Sequence, residues 1–169
     1  MNTLTTLVQE LLSEHGYHCL KDDRHDNTLQ GRVSLQSGHF GLVIDTGIDP
    51  DEMNIFLYLP DKVPEAKRYT VMEFLTRINL HIPMGHFEID LEDGRVRFVV
   101  SQLLERGNLS AELTLTLMRR ALDRVETFFP GILRIVHGNL HAIAALTEIE
   151  ERHGYEGRHA GVYPSQRLN

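Results

Sequence analysis

At 169 residues and 41% hydrophobic content, the chain has the length and composition of one globular domain with a core of its own. Its 24 acidic against 17 basic residues give a net charge of −7, the wrong sign for a protein that tracks a nucleic-acid backbone, though suited to partners with basic or amphipathic segments. A lone cysteine, Cys19, excludes an internal disulfide, and no apolar run reaches the ~18 residues of a membrane span. With no basic, apolar leader at the N-terminus, the expected location is the cytoplasm, with neither membrane nor nucleic acid as partner.

In chain order, Asn2 or Thr3 can cap a first helix whose apolar face is Leu4, Leu7, Val8, Leu11 and Leu12, and Gly16 closes it in the left-handed conformation. Tyr17–Leu20 has the character of a short strand, and Asp22–Asn27 is a polar, exposed turn. Arg32–Gln36 and His39–Asp45 form two strands about a Ser37-Gly38 turn. The following loop, Thr46–Glu52, is acidic. Read as a calcium loop from Asp45 it fails, because Gly47 falls at position 3 and the required glycine at position 6 is missing. Met53–Leu59 is apolar on both sides, as expected of a central strand covered on both faces.

The most structured stretch is Val63–Phe98. Pro64 starts a helix without sacrificing a hydrogen bond, Val71, Leu75, Ile78 and Ile82 with Phe74 make its buried stripe, and Pro83 ends it. Strict alternation follows, with Phe87, Ile89 and Leu91 inward and His86, Glu88, Asp90 and Glu92 outward. Asp93-Gly94 predicts a two-residue type I′ turn that sets Glu92 opposite Arg95, Asp90 opposite Arg97 and Ile89 opposite Phe98. After a polar break at Glu105–Asn108, Ser110 opens the longest helix, carrying Leu113, Leu117, Met118, Ala121, Leu122, Val125 and Phe128. Phe129-Pro130-Gly131 is expected to interrupt it, and Gly138 to stop its remainder. Leu140–Ile149 is a last, Ala-rich helix. The order of elements lacks the helix–strand alternation of a doubly wound fold, so the expected class is α+β. It would comprise an antiparallel sheet of about five strands packed with helices over residues 1–150, followed by a mobile tail at 151–169.

Leu59–Phe98 resembles the YbjN family of bacterial sensory transduction regulators. The likeness rests on Arg77-Ile78-Asn79 closing a Pro-led helix, on Gly85-His86-Phe87-Glu88-Ile89-Asp90, and on Asp93-Gly94-Arg95-Val96. It extends with falling strength over residues 1–150. It implies a fold similar to type III secretion chaperones, which are small, commonly dimeric domains that hold peptide segments of partner proteins. No catalytic residue is implied.

The residues themselves signal no chemistry. There is no G-x-S-x-G elbow, phosphate loop or dinucleotide fingerprint. Cys19 and His18 are strand neighbours, so they point to opposite faces. Among ten histidines, His137 and His141 have helical ligand spacing, but Gly138 lies between them and no thiol or carboxylate completes a set. Arg119, Arg120 and Arg124 read as a solvated helix face. Neither a catalytic residue nor a metal or other cofactor is therefore expected. The leading reading is a non-enzymatic regulatory or chaperone-like protein, homodimeric by resemblance, that binds a partner polypeptide through apolar surface or strand addition. Phe56, Tyr58, Met72, Phe74, Met118, Phe128 and Phe129 are the candidates for that surface or for a dimer seam. The alternative is an enzyme or metal-dependent sensor that uses histidines.

Overall fold

The computed structural model describes residues 3–47, 51–104 and 108–153. The elements run α1 (Thr3–Glu14), β1 (Cys19–Lys21), β2 (Thr28–Leu35), β3 (Gly38–Asp45), β4 (Glu52–Tyr58), a 3-10 turn (Glu65–Lys67), α2 (Arg68–Asn79), β5 (His86–Ile89), β6 (Val96–Leu103), α3 (Ala111–Val136) and α4 (Ala142–His153). The six strands form one sheet in the order β1-β2-β3-β4-β6-β5, and every neighbouring pair is antiparallel. The fold is α+β, as the order of elements predicts. The expected cap at Asn2, residues 48–50 of the acidic loop, residues 105–107 of the polar break and the tail from 154 onward lie outside the described residues.

Alternation along the strands builds the core on one face. Cross-strand registers align Leu29, Ile44, Ile55 and Val100 in one row, and Gly31, Leu42, Leu57, Phe98 and Phe87 in the next. Val8 and Leu12 of α1, Phe74 and Ile78 of α2, and Met118, Val125 and Phe128 of α3 join these rows in a single buried cluster. α1 meets β1 and β2, α2 meets β5, and α3 meets β4 and β6. At the start of α3 the Ser110 hydroxyl caps Leu113 N–H (3.3 Å), and buried Gln102 accepts from Thr114 Oγ1 (2.7 Å).

Several local expectations are corrected. Leu7 is 50% exposed; the inner face of α1 is centred on Thr5, Val8 and Leu12, because Thr5 Oγ1 pairs with Thr46 Oγ1 (2.8 Å) at the contact. β2 is longer than expected and starts at Thr28, and the short first strand is shifted to Cys19–Lys21. α2 ends at Asn79, before Pro83 can act. Pro130 does not break α3, which runs unbroken for 26 residues. Phe128 and Phe129 before the proline and Ile132 and Ile135 after it are all buried, so packing on both sides offsets the lost hydrogen bond. Gly131 is needed there for another reason: a Cβ would stand 2.5 Å from Phe74 Cζ where α2 meets α3.

The β5–β6 hairpin forms, but its register is not the expected one. Ile89 pairs with Val96, Glu88 with Arg97 and Phe87 with Phe98. The loop is wider than two residues. Asp90 N–H donates to Arg95 O (2.8 Å), and the Asp90 carbonyl accepts Gly94 N–H (2.8 Å). Among the loop residues only Gly94 has positive φ (+80°), which rules out a type I′ turn at Asp93-Gly94. Asp90 organises the loop, its Oδ1 accepting the N–H groups of Glu92 (2.8 Å) and Asp93 (3.2 Å). Arg68 then fastens the loop to α2 through the carbonyls of Leu91 (2.9 Å) and Glu92 (2.8 Å).

Candidate functional site

The second face of the sheet carries its own rows: Gln30, Val43, Phe56, Val99 and His86, then Arg32, Gly41, Tyr58, Arg97 and Glu88. Phe56 (8% exposed) and Val99 (7%) are buried, yet neither belongs to the core cluster. Their cover is lateral. The Arg97 guanidinium lies 4.7 Å over the Phe56 ring and 6.0 Å from the Tyr58 ring, whose centroids are 6.4 Å apart. No described helix packs on this face, so the expectation that β4 is covered on both sides by other layers is not met.

Arg97 is held in place from both ends. Its Nε donates to Glu88 Oε2 (2.6 Å) and its Nη1 to the Tyr58 hydroxyl (3.1 Å), while Glu88 Oε1 lies 2.8 Å from His86 Nε2. Partial burial would raise the Glu88 pKa, but the hydrogen bonds from Arg97 and His86 outweigh it and hold the carboxyl below its ordinary value. Burial likewise opposes the Arg97 charge, and its Tyr58 and Glu88 partners more than restore it. The result is a fixed aromatic and guanidinium platform. A guanidinium has five N–H donors, so Arg97 keeps some for a ligand's carbonyl or carboxylate.

One backbone position on each outer strand is engaged by a side-chain amide. At β5, Asn79 Oδ1 accepts Phe87 N–H (2.8 Å) and Asn79 Nδ2 donates to the Phe87 carbonyl (2.9 Å). At β1, Gln9 Nε2 donates to the Cys19 carbonyl (2.8 Å). Backbone groups that would template an added strand are thereby engaged, which disfavours strand addition at these positions.

Three adjoining depressions run along the open face. The first, of about 440 Å³, is lined by Tyr58, Glu88, Asp90, Arg95 and Arg97. The second, of about 580 Å³, shares Tyr58 and Arg95 with it and adds Asp22, Val43, Asp45 and Asp61. The third, of about 520 Å³, shares His25, Thr28 and Asp45 with the second.

Of the residues selected from sequence, Phe56 and Tyr58 lie on this open face, while Phe74, Met118, Phe128 and Phe129 sit in the core beneath the other. Met72 is 37% exposed on the outer side of α2, apart from both. Arg97, Glu88 and Asn79 went unselected, although Arg97 and Glu88 carry a signal: they are the outward, oppositely charged positions of the hairpin. His137 and His141 are both exposed. Among the described residues no three His, Cys, Asp or Glu side chains are grouped to hold a metal ion, and no helix is long and apolar enough to cross a membrane. Cys19 is buried, and burial pushes its thiol up to about 11, so the nucleophilic thiolate is scarce at neutral pH.

The sequence profile of YbjN, "Putative bacterial sensory transduction regulator", matches residues 5–134. The chain belongs to the YbjN family. YbjN from E. coli, described as a putative transcription regulator, superposes with a TM-score of 0.57 at 13% identity, covering 72% of this chain and 84% of that one. The ExsC–ExsE complex contributes a second neighbour, with a TM-score of 0.52 at 18% identity, covering 76% of this chain and 94% of that one. These likenesses establish the fold alone, which the chain shares with YbjN from E. coli and with a chain of the ExsC–ExsE complex. No curated protein matches the chain in sequence.

Proposed function

We propose that this protein is a non-enzymatic, cytoplasmic regulator or chaperone that acts by holding a segment of a partner polypeptide on the open face of its sheet, and that it works as a homodimer. The observation that carries the reading is the Phe56–Arg97–Tyr58 platform. It joins two aromatic rings to a guanidinium, is ordered from both ends and is backed by a rigid core, while one backbone position on each outer strand is engaged by Asn79 or Gln9. A preorganised aromatic and arginine surface is what a binding site needs to limit the entropic cost of association. ExsC, seen in complex with ExsE, supports the analogy at the level of the fold.

Capture of partners from the native bacterium tests this, with wild-type, Tyr58→Glu and Arg119→Glu/Arg120→Glu proteins as baits. The expected result is that Tyr58→Glu loses the partner and the helix variant keeps it. Retention by Tyr58→Glu with loss from the helix variant would move the site to α3. Light scattering over a concentration series tests the dimer. A stoichiometric tightly bound metal in protein purified without a tag would favour the histidine-based alternative.

A further inference from the structure

We draw no further inference here: the strongest candidate, the exposed apolar stripe of Tyr69, Met72 and Leu80 along the outer face of α2, carries none because nothing in the structure shows what covers it.

Discussion

The two faces of the sheet are made by the same strands and are both largely apolar at their centre, yet they are kept from water by different means. On one face Leu57 and Phe98 lie on the two strands that α3 meets and belong to the continuous core. On the other, Phe56 and Val99 are nearly as buried, but by a guanidinium and their own strand neighbours. Helix cover is permanent, because removing it means unfolding. Lateral cover by Arg97 leaves the aromatic edges and the spare guanidinium donors available to a visitor. Burial alone therefore does not separate core from site in β4; what does the covering is the distinguishing property.

The sharpest way to break this contrast is to truncate one aromatic on each face. Phe98→Ala should destabilise by about 3–5 kcal/mol, as large core truncations do. Tyr58→Ala should cost about 1 kcal/mol or less, since half-buried surface positions are tolerant, while removing partner binding. Urea denaturation with partner capture checks both. If Tyr58→Ala costs as much as Phe98→Ala, the open face is part of the core and not a platform.

The same contrast explains what could and could not be seen in the sequence. The fold class was legible because order and periodicity need no tertiary detail: Ser110 before the stripe of α3, and the apolar Met53–Leu59 run, placed a capped helix and a central strand. The hairpin shows how a wrong detail can leave the right faces. The expected pairing differs from the observed one by two residues, and with side chains alternating at period two that slip keeps Phe87 inside and Glu88 outside. The error came from weighting Asp93-Gly94 over Asp90, whose side chain holds the wider loop. Pro130 misled similarly, since a local breaker was outweighed by buried aromatics on both sides. The site was only half legible. Phe56 and Leu57 are equivalent in a pattern of apolar residues, and what separates them is which helices pack where. Asn79 looked like the polar end of a helix, and its clamp on Phe87 needs the helix and strand brought together in space.

A smaller effect sharpens the distinction between face and edge. Asn79→Ala frees the outward N–H and carbonyl of Phe87, and leaving part-buried backbone groups unpaired should cost about 1–3 kcal/mol. The variant should also self-associate with rising concentration, because the exposed β5 edge then offers a template for another strand. Denaturation and sedimentation velocity are the checks. An Asn79→Ala protein that stays unchanged in both would mean that the edge is protected by something else, and strand addition would return as a mode of binding.

The smallest expected effect concerns the order of the platform itself. The hydrogen bonds from Arg97 and His86 hold the folded Glu88 carboxyl below its ordinary value of 4.5 despite the opposing effect of burial. A carboxylate with a depressed folded pKa contributes stability that is fully present above the unfolded value and is lost as pH falls through the folded one. The Glu88 contribution should therefore be intact at neutral pH and fade only below about pH 4.5, and the fixed orientation of Arg97 over Phe56 should loosen in the same window. Carboxyl NMR titration should place the Glu88 midpoint below 4.5, and Arg97→Gln should move it upward, because the burial that opposes the charge remains while the strongest hydrogen bond is gone. An unshifted midpoint in the Arg97→Gln protein would mean that Arg97 does not hold Glu88 in solution, and the platform would lose the rigidity on which its binding role is argued.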